Sequence, residues 1–278
     1  MPTSPLAQPI AGVRTLANRI YCADSRHLDM IEDEVVDLVI CSPPYNVGKN
    51  YKNHDDALPL EEYLGLLRAV WAECKRVMRP GGRICVNVAG VDRQPYLPLQ
   101  SFIAQQLMDL GFLMRGEIIW DKAASVGVST AWGSWQSPSN PTLRDLHEYI
   151  LVFCKDQFRL PAPQSLGDAG EQAKGETDLT SEEFTALTRS IWGFPTGSAS
   201  KVGHPAPFPV ELPRRLIKLY SWKGGLVLDP FCGSGSTCVA ASQLGRLWIG
   251  VDIDPTYADL ARRRVAAEGA SQATLFGK

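Results

Sequence analysis

A serine, two prolines and a tyrosine, Ser42 to Tyr45, follow the apolar run Val35–Cys41. Two consecutive prolines fix the backbone and remove two N–H donors, so the carbonyls at Ser42 and Pro43 point outward with little conformational freedom. A rigid pair of acceptors suits an exocyclic amine, because hydrogen bonds to its two N–H groups draw the nitrogen lone pair out of the ring towards an electrophile. Ser42 adds a hydroxyl acceptor, and Tyr45 a face on which a flat ring can stack. An ordinary turn is the plainer alternative, since Ser-Pro and Pro-Pro often make one.

Far along the chain, Asp229-Pro-Phe-Cys-Gly-Ser-Gly lies between a short apolar run, Leu226–Leu228, and a predicted helix, Thr237–Leu244. In such a turn glycines let the backbone approach a ligand while helix-start amides face it. About seventeen residues after Gly235 another apolar run, Trp248–Val251, ends at Asp252, where a carboxylate can accept from both ribose hydroxyls of an adenosine. A dinucleotide site would want glycine or alanine where Cys238 stands. Asp229 would repel a pyrophosphate, yet it suits the cationic amino group of an amino-acid moiety. These features favour S-adenosylmethionine over NAD, and the two motifs together suggest a methyl transfer.

The elements that must carry these motifs follow from periodicity. Arg19–Cys22, Val35–Cys41, Ile84–Val88, Glu117–Trp120 and Tyr149–Cys154 read as strands, with Leu226–Leu228 and Trp248–Val251 beyond them. Glu61–Met78 has apolar residues at spacings of three and four and stops at Pro80-Gly81-Gly82, the mark of an amphipathic helix. Ser101–Leu110, Pro209–Trp222 and Thr256–Ala267 are further helices. Alternating strands and helices predict a doubly wound α/β fold with a mostly parallel sheet, and ligands then belong at the carboxyl ends of the strands. Ala123–Arg144 breaks the rhythm and carries Trp132 and Trp135, a candidate functional loop. Pro161–Glu183 is polar and poor in large apolar residues.

A chain of 278 residues, 45% hydrophobic, suffices for one large domain with a small elaboration. Its formal net charge of −2 means that any nucleic-acid contact must come from a local patch. Seven cysteines without paired metal-ligand spacing read as reduced core residues, no metal site is visible, and no run is apolar enough to cross a bilayer. A cytoplasmic protein is expected.

In these motifs the sequence resembles the β class of DNA amino-methyltransferases, which modify N4 of cytosine or N6 of adenine. Their D/N/S-P-P-Y motif is matched by Ser42, Pro43, Pro44 and Tyr45, their F-x-G-x-G motif by Phe231, Gly233 and Gly235, and the catalytic motif comes first. Arg76–Gly82, His147–Lys155, His204–Ile217 and Gly250–Pro255 are supporting matches. The resemblance implies a seven-stranded sheet with circularly permuted motif order, a catalytic half over 1–155, a small target-recognition insertion over 156–203, and a cofactor half over 204–278. It implies that Asp229 and Phe231 hold S-adenosylmethionine, that Gly233 and Gly235 let the backbone approach it, that Asp252 binds its ribose, that Phe208 closes over it, and that Asp24 lies at its adenine end. Ser42, Pro43, Pro44 and Tyr45 would receive a flipped-out base.

Serine in the first motif position goes with N4-cytosine enzymes and aspartate more often with adenine ones, so cytosine is expected and adenine is the alternative. Double-stranded DNA is the expected partner, met through Asn46, Lys49, Asn50 and Lys52 beside the active site, through Trp132 and Trp135, and through Arg214 on its helix with Arg215 and Lys218. A solvated helix face accounts for the last three as well. A cognate restriction endonuclease and a homodimer are compatible with the sequence. Cys41 and Cys232 are read as packing residues rather than nucleophiles, because neither follows a proline as in the C5-cytosine family.

Overall fold

The computed structural model describes residues 16–46, 58–91, 95–122, 133–134, 136–143, 145–162, 175–196 and 208–269. Eight strands form one sheet: β1 (Arg19–Cys22), β2 (Val36–Cys41), β3 (Met78–Val88), β4 (Phe112–Asp121), β5 (His147–Lys155), β6 (Ile191–Gly193), β7 (Leu226–Asp229) and β8 (Leu247–Asp252). Their spatial order is β1-β8-β7-β2-β3-β5-β4-β6. Only β5 runs against its neighbours, pairing antiparallel with both β3 and β4. The mostly parallel sheet is the predicted one, extended by the three-residue β6, which pairs parallel with β4.

Among the described residues six helices accompany the sheet: α1 (Leu60–Val77), α2 (Leu99–Asp109), α3 (Ser181–Leu187), α4 (Glu211–Tyr220), α5 (Ser236–Gln243) and α6 (Pro255–Glu268). Successive residues of a strand face opposite ways, so β2 serves two cores. Val39 and Cys41 pack with Tyr63, Leu67 and Trp71 of α1 and Ile103 of α2. Leu38 and Ile40 pack with Leu216 of α4, Val239 of α5 and Ala261 of α6. Helix α1 buries Tyr63, Leu67, Val70, Trp71, Cys74 and Val77 at helical spacing, with Glu61 and Glu62 in its first turn and Lys75 and Arg76 in its last, where they complement the helix dipole. Helix α6 starts on an Asp254 side chain that accepts from the Thr256 amide at 2.7 Å, with Pro255 in the first turn.

One local expectation is corrected. Pro80-Gly81-Gly82 does end α1, but it lies inside β3, where Met78 pairs with Val36 and Arg83 with Leu38. Five steps on β3 answer two on β2, so the extra residues bulge out. Gly81 can turn there because it adopts φ 81°, and a Cβ would stand 2.1 Å from the Arg159 carbonyl oxygen. The described part of the stretch after β5 supplies α3 and β6, elements too short to leave a periodic signature. Helix α3 is instead held by a capping box in which Thr180 and Glu183 bond each other's backbone amides at 3.1 Å.

Topology brings the two motifs together. Strands β2 and β7 are parallel neighbours, Leu38 beside Val227 and Val39 beside Leu228. From β2 the chain moves to β3 on one side, and from β7 to β8 on the other. A sheet whose connections diverge in this way opens a crevice at the carboxyl ends of the two strands.

Candidate active site

That crevice is a hollow whose walls include Asp24, Ser42, Pro44, Phe231, Gly233 and Asp252. Ser42 and Gly233, 191 positions apart (233 − 42) in the sequence, therefore face one space. Leu66, Leu67 and Val70 of α1 and Tyr257 of α6 complete much of the wall.

On the β7 side the chain turns sharply after Asp229. The Asp229 Oδ1 atom accepts from the Phe231 amide at 3.0 Å, and Ser25 Oγ donates to the Pro230 carbonyl at 2.6 Å, tying the loop after β1 to the glycine turn. The Phe231 ring meets Trp71 edge-on, with centroids 6.0 Å apart. Gly233, at φ 49°, donates its amide to Asp252 Oδ2 at 2.8 Å, and the Asp254 amide donates to Asp252 Oδ1 at 2.9 Å. Asp252 is thus oriented by two backbone donors, and each oxygen keeps a lone pair for a ligand.

Asp229 is the least comfortable group of the site. It is 1% exposed, and neither its Oδ2 atom nor the Thr237 hydroxyl makes a hydrogen bond of ordinary geometry, although Thr237 stands close enough to favour the ionised carboxyl. Burial pushes its carboxyl up to about 7, against the help of the Thr237 hydroxyl and the Phe231 amide. A buried carboxylate oxygen without a partner is costly unless a proton or a cation satisfies it. This orphan acceptor fits the ammonium of an amino-acid moiety.

Asp24 lines the same hollow, and its carboxylate is bound by Arg26 through Nε at 2.9 Å and Nη2 at 2.5 Å, which holds its pKa below the usual range. Three other predicted cofactor residues do not line the hollow: Asp229, which is buried at the end of β7, Gly235 and Phe208. Gly235 caps α5 at φ 80°, where a Cβ would come within 3.1 Å of the Ala261 Cβ, so packing against α6 accounts for this glycine. Phe208 packs against the core on the α4 and α5 side, and its carbonyl accepts from Ser236 Oγ at 2.9 Å.

On the β2 side, Ser42 lines the hollow with Pro44, while Pro43 is buried and Tyr45 half-buried behind them. The Pro44 carbonyl accepts from the Tyr63 hydroxyl at 2.6 Å. Ser42 Oγ lies 3.1 Å from the Tyr45 hydroxyl, which lies 3.3 Å from Glu148 Oε2. Glu148 also accepts from Asn87 Nδ2 at 2.5 Å and from Lys122 Nζ at 2.8 Å. Reading the sequence missed Tyr63, Asn87, Lys122 and Glu148. A polar Asn87 inside the apolar run Ile84–Val88 was the visible clue, since a buried amide in a strand needs a partner.

The expected DNA contacts divide. Lys49, Asn50, Lys52, Trp132 and Trp135 lie outside the described residues. Asn46 is buried, and its amide spans the Leu58 backbone, donating to the carbonyl at 2.7 Å and accepting from the amide at 2.8 Å. It ties the chain after Tyr45 to the segment leading into α1. Arg214 is half-buried and pairs with Glu211 at 3.6 Å. Arg215 bonds Glu211 at 2.8 Å and lies over the Phe194 ring, and Lys218 pairs with Glu183, so these two act within the fold. His147 stacks edge-on against Tyr149, and His204 lies outside the described residues.

All seven cysteines are free and six are buried. Burial and the nearby Asp229 carboxylate raise the thiols of Cys41 and Cys232 well above their usual pKa, which opposes any thiolate role. Among the described residues no cluster of His, Cys, Asp and Glu could hold a metal ion, and no helix is long and apolar enough to cross a membrane.

Fold and crevice define an α/β domain whose two motifs converge at a topological switch point. The chain belongs to the N6/N4 DNA methylase family, which it matches over residues 36–263. The Type II methyltransferase M.MjaI of Methanocaldococcus jannaschii is 30% identical, over 90% of this chain and 92% of its own. The structure of TTHA0409, a DNA modification methylase of Thermus thermophilus, complexed with S-adenosyl-L-methionine is 31% identical, with a TM-score of 0.68 over 91% of this chain and 96% of that one. The PvuII DNA methyltransferase, cytosine-N4-specific, shares the fold at a TM-score of 0.66 and 18% identity, covering 90% of each chain.

Proposed function

We propose that this DNA methylase is sequence-specific and transfers the methyl group of S-adenosylmethionine to N4 of a cytosine flipped out of double-stranded DNA. The observation that carries the reading is the single hollow lined by both Ser42 and Gly233. When bound, S-adenosylmethionine supplies a methyl group activated by its sulfonium. Asp229 takes the ammonium of its methionine part, which satisfies the orphan Oδ2 atom. Asp252 accepts from the ribose hydroxyls, and Asp24, braced by Arg26, borders the adenine end.

Ser42 Oγ and the Pro43 carbonyl accept the two amine hydrogens of the base and orient its nitrogen lone pair. The Pro44 carbonyl is already committed to Tyr63. Most of the acceleration is alignment: the stiff corner and the glycine turn hold two reactants in one geometry. Extracting the base from the stack costs a few kcal/mol, offset by these bonds and by contact with Tyr45. No thiolate is needed. Base and phosphate contacts come from the 46–56 loop with Lys49, Asn50 and Lys52, from Trp132 and Trp135, and from Arg214, while the 156–203 insertion selects the target. A cognate restriction endonuclease accompanies this activity in a restriction-modification pair.

Incubation with labelled S-adenosylmethionine and mixed-sequence DNA, followed by nucleoside analysis, tests the reading. N4-methylcytosine is the expected product. N6-methyladenine would move the target to adenine within the same family, and no transfer to any DNA would overturn the proposal.

A further inference from the structure

The Ser42 corner is wired to a carboxylate that neither motif contains. Glu148 stands at the start of β5, opposite Trp120 on the antiparallel strand β4, and Lys122 lies just beyond the end of that strand. One of the Glu148 oxygens takes the Lys122 ammonium at 2.8 Å, and the other takes the Asn87 amide at 2.5 Å and faces the Tyr45 hydroxyl at 3.3 Å. The Tyr45 hydroxyl in turn meets Ser42 Oγ at 3.1 Å.

The direction of this chain of bonds follows from charge. Burial and the Glu148 carboxylate raise the Tyr45 phenol well above its usual pKa, so it keeps its single proton and is a donor. An ionised carboxylate is a stronger acceptor than a serine hydroxyl. Tyr45 therefore donates to Glu148, and its oxygen accepts the Ser42 proton. With that proton turned away, the lone pairs of Ser42 Oγ are left for the hollow that Ser42 lines.

We propose that Glu148 is a positioning residue, which acts through Tyr45 to make the Ser42 hydroxyl a directed, polarised acceptor for the amine of the target base. A hydroxyl accepts more weakly than a carboxylate, and here the negative charge stands two hydrogen bonds behind it. The inference rests on amine methylation by this hollow, as proposed above, and assigns no proton transfer to Glu148.

The test is the rate of methyl transfer to DNA by the full chain carrying Glu148→Gln, Tyr45→Phe, both together, and each again with Ser42→Ala. Each single change is expected to slow transfer about 10- to 100-fold, the worth of one hydrogen bond to a charged group. In Glu148→Gln the affinity for S-adenosylmethionine and the KM for DNA should hold, because Glu148 does not line the hollow. The double variant should be no slower than the slower single one, and Ser42→Ala should abolish the sensitivity to Glu148→Gln. A Glu148→Gln protein that transfers at the parent rate, or is slowed equally with Ser42→Ala, overturns the proposal. Should Glu148→Gln not fold, Tyr45→Phe keeps the ring and decides alone: a parent rate overturns the proposal. A parent chain that methylates no DNA fails the underlying reading instead.

Discussion

The hydroxyl of Tyr63, on α1, donates to the carbonyl oxygen of Pro44 at 2.6 Å. Tyr63 is almost wholly buried, so this bond anchors the proline corner to a rigid helix from beneath. Tyr63→Phe would leave the Pro44 carbonyl without this partner and is expected to lower stability by about 1–2 kcal/mol. A urea midpoint shifted at unchanged slope checks the cost. The loosened corner should also slow transfer while leaving cofactor affinity unchanged.

Asp229 couples cofactor binding to pH. Burial raises its folded pKa to about 7, above its ordinary 3.8, so the empty protein is favoured at low pH and loses stability as the pH rises through about 7. A cation bound at Oδ2 favours the ionised form, so affinity for S-adenosylmethionine should rise as the pH climbs towards 7. It should fall again as the ligand's own amino group deprotonates near pH ~8. Calorimetric titration across this range should give a bell-shaped profile, and Asp229→Asn should bind more weakly and lose the acid limb.

Cys41 ends β2 directly before Ser42 and is fully buried. With its thiol held protonated by burial, Cys41→Ala should cost about 1 kcal/mol for the small cavity and leave the rate of methyl transfer unchanged. A labelled-methyl assay with a thermal melt reads both, and loss of transfer in a folded variant would reinstate the thiolate.

Arg246 is fully buried and donates to both oxygens of Asp178, at 3.0 and 2.7 Å, and to the Ser221 carbonyl at 3.1 Å. It fastens the stretch after β5 to the segments around Ser221 and the start of β8. Arg246→Ala should destabilise the fold by about 3 kcal/mol, the lower end for a broken buried pair because Asp178 keeps some contact with water. Chemical denaturation measures it. Asp178→Asn should cost less, since the carbonyl partners of Arg246 remain.

Much of the site could be read from the chain alone. A serine before two prolines at the end of an apolar run, and a glycine turn with aspartates at 229 and 252, declare their chemistry through residue type and short spacing, which are local properties. The helices α1, α2, α4 and α6 were likewise legible, because burial of one face repeats every three to four residues, whereas α5 is buried from Ser236 through Ala241 and was legible only from its place after the glycine turn. What the sequence could not decide is who stands beside whom. That β2 and β7 are neighbours, that Tyr63 reaches Pro44, that Glu148 reaches Tyr45 and that Asn46 bonds the Leu58 backbone instead of facing outward all depend on pairings across tens to hundreds of residues. Hydrophobic period says which side of a strand is buried, but not against which strand. Strand order and the buried polar bonds that follow from it are settled only when the whole sheet packs and every enclosed donor and acceptor must find a partner.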